Sequence, residues 1–128
     1  MKLLLDTHTW LWFVLGESSL SSTARALVED TSNEKFLSPA SYWETAIKIS
    51  IGKYRLPQPW NQFISQAIEG AGFVILPILP KHAEVLSSLP FHHRDPFDRL
   101  IIAQATSESM PIISRDAELD ADSVQRLW

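Results

Sequence analysis

The sequence predicts an α/β fold: a central, mostly parallel sheet covered by helices on both faces, an α/β/α sandwich. Two observations carry this. Lys2–Leu5, Lys35–Leu37, Phe73–Leu76 and 111-PIIS-114 are short apolar runs without polar alternation, the pattern of strands buried on both faces. Between them lie longer stretches whose apolar residues recur every three or four positions, as helices require. With 128 residues the chain suits one domain, 1–128, and its 45% hydrophobic content supports a core.

Each element follows from local signals. Lys2–Leu5 runs into Asp6 as a first strand, and residues 9–15 form a helix that is apolar all round. Ser21 caps a helix with Ala24, Leu27 and Val28 on one side. After Lys35–Leu37, Ser38-Pro39 supplies a cap and a proline at the first helical position. That helix carries Trp43, Ala46, Ile47, Ser50 and Ile51 at helical spacing and stops at Gly52. YRLPQP links to a helix with Phe63, Ala67 and Ile68 on its inner side. Phe73–Leu76 is the third strand, Lys81–Ser88 a short helix closed by Pro90, and 92-HHRDPFDRLIIAQA-105 opens the next helix. The strand 111-PIIS-114 ends at Arg115-Asp116, and Val124–Trp128 is a candidate last strand.

Composition narrows the function classes. Without cysteine, disulfides and Cys-ligated zinc are excluded. The apolar start is interrupted by Asp6 and His8 and lacks a small-residue cleavage site, so a cytoplasmic protein with no membrane span is expected. A formal charge of −4 disfavours a generic basic nucleic-acid binder. It does not disfavour an enzyme that meets phosphate through a bound cation.

Four acids fall beside apolar segments where a parallel sheet would gather them at its carboxyl edge. They are Asp6, Glu44, Asp98 and Asp116. Each has a simpler reading. Asp95-Pro96-Phe97-Asp98 matches a capped helix start, Glu44 and Lys48 are spaced as a surface ion pair, Asp6 could only end a strand, and Asp116 could open a turn. Setting the four aside leaves as many acids as Lys and Arg together, so the whole surplus of negative charge would lie in one pocket. Carboxylates that crowded repel one another unless a cation neutralises them, and an all-oxygen set favours Mg²⁺ or Mn²⁺ over zinc.

The stretches 5-LDTHTWLW-12, 38-SPASYWETAIK-48, 92-HHRDPFDRLIIAQA-105 and 114-SRDAEL-119 resemble, in order and spacing, the PIN-domain ribonucleases. The resemblance is greatest to the VapC-type toxins of type II toxin–antitoxin pairs. It implies a PIN-like α/β/α sandwich, RNA cleavage dependent on Mg²⁺ or Mn²⁺, and inhibition by a cognate antitoxin. Its acidic quartet falls on Asp6, Glu44, Asp98 and Asp116. Asp95 is an additional acid or the helix cap, and Thr7 and Ser114 match hydroxyl residues beside the first and last acids.

The expected chemistry is hydrolysis of RNA by water, with Asp6 and Asp98 as central ligands and Glu44 and Asp116 completing the set. Arg94, Arg99 and Arg115 are candidates to hold phosphate. Alternatives remain at this point: a zinc pair at His92-His93, a metal-free ribonuclease using two histidines, a phosphoacceptor domain, and a non-catalytic interaction module. The phosphoacceptor reading lacks the second acid near the first strand, and a haloacid-type phosphatase would want two aspartates where Asp6-Thr7-His8 has one. The apolar helix at 10–15 is either enclosed in the core or leaves a patch for a homodimer partner or an antitoxin peptide.

Overall fold

The computed structural model describes residues 1–128. Its five strands are β1 (Lys2–Leu5), β2 (Glu34–Leu37), β3 (Phe73–Ile75), β4 (Ile112–Ile113) and β5 (Arg126–Leu127). All pair in parallel, in the order β3-β2-β1-β4-β5. Helices α1 (Thr7–Val14), α2 (Ser22–Glu29), α3 (Pro39–Ser50), α4 (Trp60–Ala67), α5 (Pro80–Ser87) and α6 (Pro96–Glu108) complete the α/β/α sandwich, with a short 3₁₀ turn at Ala117–Ala121.

Alternation along the strands divides the core in two. Leu3 and Leu5 of β1, with Ile113 of β4, pack among Trp10, Leu11, Ala24, Val28, Phe63 and Ala67. Leu4 and Ile112 turn the other way, onto Ile101, Ile102 and Ala105 of α6. One strand thus serves both layers, which is why its sequence is continuously apolar.

The strand order reverses between β1 and β4. The chain leaves β1 towards β2 and β3 on one side, then returns to place β4 and β5 on the other. Connections diverge at such a switch point and open a crevice above the carboxyl ends of the two central strands. Asp6 follows β1 directly, and Ser114 follows β4.

One helix boundary is corrected, and a second helix turns outward a face that its spacing had left open. The first helix begins at Thr7, because Asp6 caps it by accepting the Thr9 N–H at 2.8 Å. Trp10 and Leu11 are buried within the chain, while Trp12, Phe13, Val14 and Leu15 stay partly exposed. Trp10 is wholly buried against Phe63 and donates Nε1–H to the Ala67 carbonyl at 2.9 Å. Trp12 meets Trp128 and Phe13 meets Phe73, with centroids 6.0 and 6.1 Å apart.

The stripe on α3 faces outward instead. Trp43 and Ile51 are 64% and 59% exposed, and the buried side is Ala40, Ser41, Glu44 and Thr45. Small and hydroxylated residues let α3 pack against α1 and α6, where Thr7 Oγ1 donates to Ser41 Oγ at 3.1 Å. Helical spacing identified a helix there but not its inner face. No helix is long and apolar enough to cross a membrane.

Candidate active site

Asp6, Asp98 and Asp116 line one small cavity floored by Ile101, Ile102, Ile112 and Leu119. Three different elements deliver them: the end of β1, the first turn of α6 and the loop after β4. The free volume is about 10 Å³, room for one ion- or water-sized guest. A wider basin of about 400 Å³ opens beside it, shares Asp6 and Asp116, and is bordered by His8, Trp12, Arg115 and Ala117.

Hydrogen bonds fix the acids in place. Ser114, fully buried, donates its hydroxyl to Asp6 Oδ2 and accepts the Asp116 N–H at 3.0 Å. One hydroxyl thereby ties the first acid to the last. Asp116 also caps the 3₁₀ turn by accepting the Glu118 N–H at 3.0 Å. The strand-end reading of Asp6 and the turn reading of Asp116 are therefore true together with their convergence. One carboxylate oxygen serves the backbone, and the residue still lines the cavity.

Asp98 feels its neighbours most. Burial first, then the charges of Asp95, Glu44, Asp6 and Asp116, push its carboxyl up to about 7. Glu44 does not line the cavity, yet it is buried close enough for its charge to act on Asp98. Its Oε2 pairs with Lys48 Nζ at 2.9 Å, the i,i+4 pair visible in the sequence, while Oε1 is buried without any partner. An orphaned carboxylate oxygen and a carboxyl raised by burial and by neighbouring acids are what a divalent cation would relieve. By donor chemistry the all-oxygen set suits such an ion, while the three side chains whose ligand atoms already lie within 4.8 Å of one another are His93, Asp116 and Glu118.

The remaining predicted residues divide. Asp95 caps α6, with Oδ1 accepting the Phe97 and Asp98 N–H groups at 2.8 and 3.1 Å. Thr7 is buried on Ser41, behind the first acid. Arg115 borders the basin and Arg94 is exposed. Arg99 is buried and turned to the preceding loop, where its guanidinium donates to the carbonyls of Leu89 and Pro90 at 3.2 and 3.0 Å. With those donors engaged, it serves as a loop clamp.

His92 and His93 do not converge. His92 is exposed, whereas His93 is buried and its Nε2 lies 2.7 Å from Asp122. His93, Asp116 and Glu118 each bring one ligand atom within 4.8 Å of the others. Sequence reasoning missed Glu118 and Asp122 as neighbours of His93. Neither lies in an apolar context, and their proximity arises from a 3₁₀ turn that no periodicity announces.

The PIN domain family model matches residues 3–122. The chain belongs to the PIN domain family. No curated protein matches it. Among solved structures it is similar to VapBC2 from Rickettsia felis bound to a promoter DNA fragment. That match has a TM-score of 0.71 at 14% identity and covers 99% of this chain and 98% of that one. FitAcB from Neisseria gonorrhoeae matches with a TM-score of 0.64 at 18% identity, over 98% and 96% of the two chains. VapBC-5 from Mycobacterium tuberculosis, a member of the VapBC family of toxin–antitoxin systems, gives 0.63 at 18% identity, over 98% and 97%. At these identities the likeness is one of fold.

Proposed function

We propose that this chain is a divalent-metal-dependent endoribonuclease, the VapC-type toxin of a toxin–antitoxin pair. The observation that carries the reading is the convergence of Asp6, Asp98 and Asp116 on one ion-sized cavity, with Glu44 buried behind them. Membership of the PIN family supports nuclease chemistry, and the VapBC and FitAB neighbours support an antitoxin as partner.

Asp6, Asp98, Asp116 and Glu44 would hold the ion, Mg²⁺ or Mn²⁺. When bound it supplies Lewis acidity, acidifying water, polarising a phosphoryl oxygen and offsetting charge on the leaving oxygen. The chain's own groups do the rest. Ser114 keeps Asp6 and Asp116 at fixed separation. Glu44 Oε1, unpartnered and buried, or Asp116 at the rim receives the proton of the attacking water. Arg115 and Arg94 hold the RNA phosphates either side of the cut. The water oxygen bonds to phosphorus as the bond to the 3′ oxygen breaks, leaving 5′-phosphate and 3′-hydroxyl ends.

The toxin acts in the cytoplasm as a homodimer and is silenced by an antitoxin peptide that brings a basic side chain to the acids. An RNA carrying one 2′-deoxy sugar at the cut site tests the chemistry. It is expected to be cut as fast as the all-ribose strand, with 5′-phosphate ends. Binding without cleavage would point to attack by the 2′-hydroxyl and refute hydrolysis by water.

A further inference from the structure

Phe91 is the most exposed large apolar side chain in the chain, at 84%. Its ring is nonetheless held. The Arg99 guanidinium carbon lies 4.0 Å from the ring centroid. Arg99 is itself buried and anchored to the carbonyls of Leu89 and Pro90 in the same loop. One face of the ring is thus backed by a fixed cation, and the other is open to solvent.

The far end of this loop is fastened to the acid cavity. His93 is buried and bonded to Asp122, and one of its ring nitrogens lies within 4.8 Å of an Asp116 carboxylate oxygen. Asp116 lines the cavity with Asp6 and Asp98. Only His92 separates Phe91 from His93, at most about 7 Å of extended chain. The neighbours Pro90, His92 and Arg94 are exposed; Arg94 brings positive charge and His92 a polar ring, so no continuous apolar surface surrounds Phe91. A protein contact would want apolar neighbours around such an anchor. Single-stranded nucleic acid wants an open aromatic face beside basic groups.

We propose that Phe91, stacked on Arg99, is a platform for an unpaired RNA base next to the cleaved phosphate. The inference deepens the ribonuclease reading and rests on it. A base laid on the open face would fix the register of the strand over the acids and favour cleavage in loops or single strands over duplex, where bases are already stacked.

The test is steady-state cleavage of a single-stranded RNA oligonucleotide by antitoxin-free protein in Mn²⁺. Phe91→Ala is expected to raise KM about tenfold, with kcat within about twofold of wild type. Phe91→Trp restores KM, whereas Phe91→Leu, apolar but not planar, does not. An abasic nucleotide moved along the RNA raises the wild-type KM at one position near the cut and adds nothing further in Phe91→Ala. An unchanged KM in Phe91→Ala, or full rescue by leucine, overturns the proposal. So does loss of antitoxin binding by Phe91→Ala with KM unmoved, which would assign the ring to a protein contact. Wild type that cuts while the variants match it removes only the stacking platform; wild type that cuts no RNA removes the ribonuclease reading and this inference together.

Discussion

Asp98 shows how a residue can obey a local rule and a distant one together. Two positions after Pro96, it belongs to the first turn of α6, where an acid complements the exposed N–H groups. Burial and four neighbouring acids nevertheless raise its carboxyl to about 7. A raised carboxyl means that the folded chain binds this proton more tightly than the unfolded chain, whose value is near 3.8. Stability from this group is therefore full below about pH 4 and is lost as pH rises through about 7. In EDTA, the Tm of Asp98→Asn should exceed that of wild type by a margin that widens from pH 5 to pH 8. A margin that is constant or shrinks over that range would show that Asp98 ionises freely. The identities of the converging acids were legible, because each carboxylate interrupts or borders an apolar run. Arg99 was not: burial of its guanidinium under Phe91 depends on the path of a loop without periodicity.

At the scale of elements, α6 and α3 mark what pattern can and cannot disclose. The start of α6 was readable residue by residue, and Asp95 is its cap. That role is separable from the charge of Asp95, which is the largest charge contribution to the raised Asp98 carboxyl. Asparagine caps as well as aspartate, whereas alanine does not. Asp95→Asn should keep wild-type stability and lower the Asp98 pKa, followed by the carboxyl signal in NMR. Asp95→Ala should lower that pKa too and cost about 1 kcal/mol in denaturant unfolding. Equal stability of the two variants would refute the cap. In α3 the spacing of Trp43, Ile47 and Ile51 resembles a core stripe, yet these residues face solvent and Glu44 faces inward. Periodicity reports that one face is apolar, and which face is buried is decided by the partners α1 and α6.

For the whole molecule, the fold class was the more legible half. Short continuous runs predicted a parallel sheet, and the carboxyl-edge rule placed the acids before any pairing was known. The strand order that puts the site between β1 and β4 was not legible, because local sequence carries no signal for which strands pair. Nor was the open groove of about 590 Å³ lined by Tyr42, Trp43, Ala46, Trp60, Ile64, Ile68 and Ile75, built where α3, α4 and β3 meet. It is larger and more apolar than the acid cavity, and none of the acids lines it. On the toxin reading proposed above, such a surface suits an antitoxin peptide better than the substrate. On that reading, Trp43→Asp is expected to weaken binding of a cognate antitoxin at least tenfold in titration calorimetry, with RNA cleavage by the free protein unchanged. Undiminished antitoxin affinity would move the contact elsewhere.

The account turns on whether the gathered carboxylates hold a cation, and calorimetric titration with Mn²⁺ at pH 7.5 measures that directly. Wild-type protein should bind the ion with release of protons from the acid cluster, and Asp98→Asn, folded by circular dichroism, should bind it at least tenfold more weakly. Wild type that takes up no Mn²⁺, or an Asp98→Asn that takes it up equally well, would contradict the account.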